Sequence, residues 1–211
     1  EQNKTVVAIS PDSGRTWIYK KLNLAGFQGM ASPVDPDVQL LPDGTFRLYL
    51  TSDALDGQGP RTYYAEGKDG INFVKKGVAF AQPGRDVLDP STLLIGSAWH
   101  IFAGGSTSTP GANWSGTSSD GTSFTFRGER IFKKDDVPQA MANGLAVRDG
   151  YRFYTFSHGP NAEINSFFTT DGLTWTVEPG KRLSLDTTTG LERSFVKDPA
   201  VVRLKDGGYL M

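Results

Sequence analysis

The chain has 211 residues, of which 22 are basic and 23 acidic, so its formal net charge is −1. This balance gives no electrostatic reason to expect nucleic acid or an anionic membrane surface as a partner, and no apolar run approaches the roughly 20 residues that span a bilayer. There is no cysteine, which excludes disulfides, thiolate metal sites and a cysteine nucleophile. The 25 glycines and 12 prolines, together with many aromatic residues, favour short strands and turns over long helices.

The first predicted element is a hairpin over residues 4–22, whose turn carries the stretch SPDSGRTW. Weaker copies, each with Asp-Gly and an aromatic residue three positions after the glycine, end at Phe73, Phe124 and Trp175. The copies lie about 50 residues apart, as in a protein built from internal repeats. An Asp side chain can accept N–H groups of its own turn, and the aromatic ring can pack between neighbouring units. We therefore expect these turns to be structural.

A second element alternates with the first and begins at Asp35, Asp89, Ala142 and Asp198. Each copy reads as an apolar strand, a turn and a second strand rich in aromatic residues, and three of the four begin with Asp-Pro. The segments TFRLYL and GYRFYTF alternate with the period of two that is typical of half-buried strands. Two strands joined by a short polar turn form a hairpin.

Each repeat is thus predicted to hold four short antiparallel strands, an inner hairpin from the second element and an outer hairpin from the first. Four-stranded units repeated every 40 to 50 residues or so are typical of β-propeller blades. We expect an all-β propeller of four blades as a single domain over residues 1–211. The hairpins over 4–22 and 198–211 would pair to close the ring and cover two sheet edges. The last strand, 209–211, is short, so a fragment of a five-bladed propeller is the alternative.

The stretch SPDSGRTW resembles the Asp-box, or BNR repeat, of sialidase-like propellers, whose pattern is Ser-X-Asp-X-Gly-X-Thr-Trp. The matching positions are Ser10, Asp12, Gly14, Thr16 and Trp17. The Asp-Pro strands followed by Asp-Gly resemble the propellers of glycoside hydrolase families 43 and 32. These resemblances imply a carbohydrate-active or carbohydrate-binding protein with a carbohydrate ligand. A non-catalytic propeller that binds glycan or protein, and an assembly unit without activity, are the alternatives.

The innermost strand of each propeller blade lines the central channel, so Asp35, Asp89 and Asp198 are expected at equivalent positions of its rim, with Met141 at the fourth. Carboxylates that converge there would raise at least one pKa and place an acid beside a base. Glycoside hydrolysis needs such a pair. Asp-Pro at the start of a strand is also a common turn device, so a purely structural role stays open for each Asp.

The resemblance to family 43 implies that Asp35 or Asp89 is the general base or tunes a pKa, and that a Glu of a later blade is the general acid. The third repeat reads QAMANGLAV, with no Glu at Met141 or Asn143, so the acid position is not matched. Glu163 and Glu192, in loops predicted on the same face, are the candidate substitutes. Each can equally be a solvated loop carboxylate.

Four further residues are candidate substrate-binding groups. Arg61 and Arg193 fall in candidate loops, where a sialidase-like site would grip a carboxylate, although Arg61 can instead pair with a neighbouring acid. His158 lies near Glu163 in sequence. Trp114 can stack on a sugar face or cap the core of its blade.

No cofactor is expected from the sequence. Residues 53–57 and 133–137 supply oxygen ligands suited to Ca²⁺, but neither has the spacing of a recognised calcium loop. Two histidines make a His-based zinc site improbable. The chain begins EQNKTV, without Met or an apolar signal segment, which favours a mature extracytoplasmic or secreted protein. Self-association is expected if the ring is incomplete.

Overall fold

The computed structural model of the protein describes residues 5–157, 162–186 and 194–211. In these ranges the regular structure is β-strand, joined by turns and bends, and no helix occurs. The described residues accordingly contain no helix that is long and apolar enough to cross a membrane. The all-β class predicted from the short, aromatic-rich strands is confirmed.

The strands are short and are joined mostly by tight turns. In chain order they are β1 (Val6–Ile9), β2 (Ile18–Lys21), β3 (Asn23–Ala25), β4 (Val34–Leu40), β5 (Phe46–Ser52), β6 (Arg61–Gly67), β7 (Asn72–Phe80), β8 (Val87–Ile95), β9 (Ala98–Gly105), β10 (Asn113–Ser118), β11 (Thr125–Arg130), β12 (Phe132–Lys134), β13 (Val137–Val147), β14 (Gly150–Ser157), β15 (Glu163–Thr169), β16 (Thr176–Val177), β17 (Leu183–Ser184), β18 (Val202–Arg203) and β19 (Tyr209–Leu210).

Three sheets have the consecutive antiparallel order of propeller blades. The first blade is β4–β5–β6–β7, the second is β8–β9–β10–β11, and the third is β13–β14–β15–β16. Three additional strands, absent from the sequence prediction, extend these sheets: β3 pairs in parallel with β7, β12 pairs with β13, and β17 pairs with β15. In each blade the strand that was predicted to be innermost comes first.

The predicted fourth blade is present as two separate two-stranded sheets, β1–β2 and β18–β19. No ladder between the two sheets is among the strand pairs of the described residues, although the side chain of Leu210 lies against Gly14 in the β1–β2 turn. Closure of the ring by residues 4–22 and 198–211, and the count of four blades, therefore stay predictions.

The Asp-Gly turns are held by internal hydrogen bonds, as a structural role requires. In the first turn, Asp12 Oδ1 accepts the N–H of Thr16 at 2.8 Å and Ser10 Oγ accepts the N–H of Gly14 at 2.7 Å. The indole N–H of Trp17 donates to the Gly14 carbonyl at 3.1 Å. The turn that ends at Trp175 repeats this pattern, from Thr169 Oγ1 to the indole.

The aromatic residues that follow these turns differ in burial. Phe73 and Phe124 are 2% and 7% exposed and belong to apolar clusters. Trp175 is partly buried and packs edge-on against Phe153 at a centroid distance of 5.4 Å. Trp17, by contrast, is 43% exposed. The expectation that all four rings pack between blades is therefore wrong for Trp17.

The apolar core lies between adjacent blades rather than in one central mass. One cluster joins the first and second blades, and its members include Tyr49, Phe80, Val87, Trp99, Ile101, Trp114 and Phe124. A second cluster joins the second and third blades, and its members are Leu93, Ile95, Phe102, Phe132, Met141, Phe153 and Phe167. Side-to-side packing of this kind fixes the angle between blades and thereby positions the first strand of each blade.

Candidate functional site

The first strand of each complete blade bulges at the same place. The register shifts between Val34 and Asp37 in β4, between Leu88 and Ser91 in β8, and between Met141 and Asn143 in β13. A bulge leaves a residue outside the ladder and turns its side chain in a new direction. The residues released in this way in the first two blades are the Asp-Pro pairs.

The three Asp residues of the Asp-Pro pairs share an unusual backbone conformation. Asp35, Asp89 and Asp198 have φ values of 53°, 50° and 51°, in the left-handed region. This region is rare for residues with a side chain, although Asp and Asn enter it more readily than others, and a following proline disfavours helical backbone further. Such strain at equivalent positions is typical of functional sites, where surrounding structure holds it in place.

The equivalent residues of four repeats meet at one cavity of about 450 Å³. Asp35, Asp89, Met141 and Asp198 all line it, together with neighbours that include Asp37, Asn143, Phe156 and Lys197. This is the grouping that the repeat pattern predicts. The roles of the three aspartates in binding or catalysis stay predictions.

Asp89 is the electrostatically unusual member of the group. Its pKa is raised to about 6, chiefly by loss of solvation at the cavity wall and also by the negative charges of Asp35 and Asp198 and a hydrogen bond with the Asp35 carboxyl group. The ammonium group of Lys197 opposes this increase. Asp89 nevertheless stays accessible to solvent. The cavity therefore offers a carboxyl group that can exchange a proton near pH 6.

Lys197 was missed by the sequence analysis. Its Nζ lies 3.1 Å from Asp198 Oδ2, so the last repeat presents an ion pair rather than a lone carboxylate. The adjacency Lys-Asp-Pro at 197–199 was visible in the sequence. Which way the lysine points depends on the backbone conformation at Asp198, which the sequence does not state.

Asp37 is a second residue that sequence reasoning missed. It lies two positions after Asp35 on β4, is buried, and lines the cavity. Its Oδ2 accepts hydrogen bonds from the N–H and Oγ1 of Thr92 on the second blade, at 2.9 and 2.5 Å. Burial raises the pKa of Asp37 to about 6, against the lowering effect of these bonds. Asp37 therefore joins two blades directly beneath the cavity.

Two asparagines make equivalent connections farther along the ring. Asn143 Oδ1 accepts the N–H of Val201 at 2.9 Å, which ties the third blade to the last repeat. Asn143 and Val201 stand two and three positions after Met141 and Asp198, as Asp37 and Thr92 do after Asp35 and Asp89. Between the second and third blades, Asn113 accepts the N–H of Met141 and donates to the carbonyl of Gln139, both at 3.0 Å. Polar side chains thus hold the cavity walls at each of these junctions.

Trp114 is not available as a sugar-stacking platform. It is 4% exposed, lies in the core cluster between the first two blades, and donates its indole N–H to the Asp86 carbonyl at 3.0 Å. The ring is therefore packed inside the core and is not exposed to a ligand. The candidate role in substrate binding is corrected to a structural one, the alternative that the sequence left open.

Arg61 and Glu163 are held by ion pairs and are not among the residues that line the cavity. Arg61 pairs with Asp56 at 2.5 Å, as the alternative for this residue anticipated. Glu163 pairs with Lys181 and, at 3.6 Å, with Lys134. Glu163 therefore lies outside the cavity at which the substitute acid was expected.

The remaining candidates, His158, Glu192 and Arg193, lie outside the described residues. The two calcium-type stretches form turns. Asp135 and Asp136 adopt left-handed φ between β12 and β13, and Asp53 Oδ1 accepts the N–H of Leu55. Across 5–157, 162–186 and 194–211, no three acidic or histidine side chains are grouped so as to hold a metal ion.

Comparison with known proteins yields matches in structure alone. No family model and no curated protein sequence matches the chain. A family 117 glycoside hydrolase of the marine bacterium Zobellia galactanivorans superposes with a TM-score of 0.63 at 14% identity, over 84% of this chain and 61% of that one. A glycosyl hydrolase of Bacteroides ovatus gives 0.57 at 13% identity, over 84% and 62%.

A family 32 β-fructofuranosidase of Bombyx mori gives a TM-score of 0.57 at 13% identity, over 76% of this chain and 36% of that one. A mutant of that enzyme has been solved in complex with sucrose. The chain therefore spans about three fifths of the two bacterial proteins and about a third of the insect enzyme. These likenesses show that the chain has a glycoside hydrolase-like β-propeller fold.

Proposed function

We propose that the cavity binds a carbohydrate and that its aspartates act on a glycosidic bond. The observation that carries this proposal is the convergence of Asp35, Asp89 and Asp198 from three repeats on one cavity, with the pKa of one of them raised to about 6. The glycoside hydrolase-like fold supports it, since the channel face of a propeller is formed by the loops and strand starts that carry these residues.

The proposed roles follow from the different surroundings of the three carboxyl groups. Asp89 is the proton donor, because its pKa is raised and its carboxyl group shares a hydrogen bond with Asp35. Asp198, in an ion pair with Lys197, is the general base. In hydrolysis the Asp89 proton passes to the glycosidic oxygen as its bond to the anomeric carbon breaks. Asp198 takes a proton from the water whose oxygen bonds to that carbon.

The test is hydrolysis of a panel of aryl glycosides by the wild-type protein and by Asp89→Asn. Asn accepts left-handed backbone as readily as Asp, so this variant removes the proton without adding strain. Asp149→Asn, in the exposed turn between β13 and β14, is the matched control. Turnover that is lost in Asp89→Asn and kept in Asp149→Asn supports the proposal. No turnover of any substrate by the wild-type protein contradicts the catalytic part.

A second candidate function, binding of glycan without catalysis, is favoured by two observations. Met141 occupies the cavity position where the resemblance to family 43 calls for an acid, and Glu163 is held between two lysines. The same assay distinguishes this function if it is paired with a binding measurement. Saccharide binding without turnover, weakened in Asp89→Asn, indicates a binding propeller.

A further inference from the structure

A second cavity of about 270 Å³ opens beside the first. It lies between the second and third blades, where the end of β9 and the segment 107–113 face the start of β13. The two cavities share three lining residues, Asp89, Met141 and Phe156. The two cavities are therefore adjacent, with these three side chains at the boundary between them. Asp89 is the carboxyl group that lines both.

The walls of the second cavity carry no charged side chain apart from Asp89. Three glycines, Gly104, Gly105 and Gly111, contribute to its lining. At Gly104 the absence of a side chain leaves open space next to the backbone, since a Cβ there would meet no atom nearer than 3.6 Å. The first cavity differs, because four aspartates and Lys197 line it. The second space is thus suited to a neutral group, and the first to the group on which charge develops.

The polar groups in the second cavity are held rigidly by the structure. Asn113 bonds the backbone of Gln139 and Met141. Gln139 Oε1 in turn accepts from Thr155 Oγ1 at 3.2 Å and from Asn165 Nδ2 at 3.0 Å. Because these side chains are buried and fixed by one another, the cavity keeps its shape without an occupant. Pre-formed spaces of this kind are characteristic of small-molecule sites.

We infer that the two cavities form one extended site for a saccharide of at least two units, with the linkage between the units beside Asp89 and an uncharged unit in the second cavity. The inference rests on the proposed function. A site for a single sugar would need only the first cavity, whereas a donor placed where two cavities meet can reach the oxygen that joins two rings. The substrate class is therefore an oligosaccharide with a neutral unit on the blade-two side.

Gly104 allows the second cavity to be narrowed from its wall. A Cβ at this position would lie 3.6 Å from Asp89 Oδ2 and 3.7 Å from the Leu88 carbonyl, which are ordinary contacts, and its φ is outside the left-handed region. Gly104→Val is therefore compatible with β9 and places two methyl groups in the space. Gly77→Val is the matched control: Gly77 is a strand glycine on β7, lines neither cavity, and would meet only Tyr64 Cε1 at 3.6 Å.

The experiment begins with a microarray of neutral and acidic di- to hexasaccharides, from which the best-bound disaccharide is taken as the probe. Calorimetric titration then compares this disaccharide with its two constituent monosaccharides. We expect the disaccharide to bind at least about tenfold more tightly than either monosaccharide. Gly104→Val should lose that advantage and leave monosaccharide binding within about twofold of the wild type, and Gly77→Val should change neither.

Equal affinity for the disaccharide and a monosaccharide, or an unchanged disaccharide affinity in Gly104→Val, overturns the extended site and leaves the proposed function standing. Absence of binding to every saccharide overturns both. If Gly104→Val also loses the monosaccharide, it has disturbed Asp89, and Thr107→Tyr decides instead, because Thr107 lines the second cavity without lining the first. Selective loss of disaccharide binding in that variant supports the inference, and unchanged binding overturns it.

Discussion

Asp37 on the first blade accepts two hydrogen bonds from Thr92 on the second, one from the backbone N–H at 2.9 Å and one from Oγ1 at 2.5 Å. The carboxyl group is buried, and its pKa is raised to about 6 because burial outweighs these bonds. The bonds join the two blades at the base of the cavity. The position of Asp35 relative to Asp89 therefore depends on a carboxyl group that takes no part in the proposed chemistry.

The first prediction concerns the pH dependence of stability in Asp37→Asn. The pKa of Asp37 is higher in the folded protein than the ordinary value of 3.8, so its contribution to stability is full below about pH 4 and is lost as the pH rises through about 6. Asn keeps an oxygen for Thr92 and does not titrate. Between pH 4 and pH 7, the free energy of unfolding of the variant should therefore fall less than that of the wild type. The difference between the two falls should be on the order of 3 kcal/mol.

Urea unfolding of both proteins at a series of pH values measures this difference, and identical slopes would contradict it. Asp149→Asn, in an exposed turn, controls for the change of an Asp as such and should keep the slope of the wild type. Asp37→Ala should instead lose about 1 to 3 kcal/mol at pH 4, because the buried N–H of Thr92 then lacks its acceptor.

The second prediction is that Lys197 sets the pH at which Asp89 titrates. Lys197 lowers the pKa of Asp89, so Lys197→Met should raise it above the value of about 6 that the intact site has. The carboxyl ¹³C shift of Asp89, followed by NMR over pH, reports this directly and without a substrate. Lys205→Met, on an exposed lysine that does not line the cavity, should leave the titration unchanged. A shift of the midpoint to lower pH would contradict the assignment.

The same titration determines the pH range of the proposed activity. A proton donor must carry its proton, so turnover should fall as the pH rises through the pKa of Asp89. In Lys197→Met this fall should move to higher pH, together with the NMR midpoint. A turnover profile that stays in place while the NMR midpoint moves would show that another group donates the proton.

Much of the site could be predicted from the sequence because its signals are local and repeated. The Asp-Pro pairs at Asp35, Asp89 and Asp198 begin equivalent strands, and the first strands of propeller blades converge on one axis. The residue at the fourth position, Met141, follows from the same period. All four residues line one cavity. Their grouping could be predicted from the repeat pattern alone, because the prediction does not need the angle between blades.

The residues that were missed or misplaced depend on contacts between blades or between distant strands. Asp37 meets Thr92 across 55 residues of sequence, and Glu163 on β15 meets Lys134 on β12. The sequence pattern of a repeat does not show which residues of separate strands or blades come into contact, so neither pair could be predicted from it. Trp114 fits the pattern of an exposed stacking residue in a polar loop, but it lies on β10 and its ring is part of the core cluster between the first two blades.

The third prediction tests the structural assignment of Trp114. Because the ring is buried in the cluster between the first two blades, Trp114→Ala should cost about 3 to 5 kcal/mol of unfolding free energy. Trp17 is the control, since it is a tryptophan of the same chain that is 43% exposed, and Trp17→Ala should cost clearly less. Thermal or urea unfolding of the two variants measures the difference. Equal losses would contradict the packing described for Trp114.

The last prediction concerns the sheets β1–β2 and β18–β19, which were expected to pair. All four residues of β2 are exposed, including Ile18 and Tyr19, whose side chains point to opposite faces. Isolated two-stranded sheets are marginally stable and their edges pair readily with other strands. We therefore expect the protein to self-associate through this hairpin as its concentration rises, with sedimentation velocity over a concentration series as the measurement.

Lysine substitution tests whether β2 forms that contact. The double change Ile18→Lys and Tyr19→Lys should reduce association, because charged side chains on an edge strand oppose pairing with another strand. Leu173→Lys, at an exposed apolar residue in the turn before Trp175, should leave association unchanged. A wild-type protein that stays monomeric at every concentration would contradict the prediction. It would indicate instead that the edge of the β1–β2 sheet is paired within the chain, for example with β18–β19.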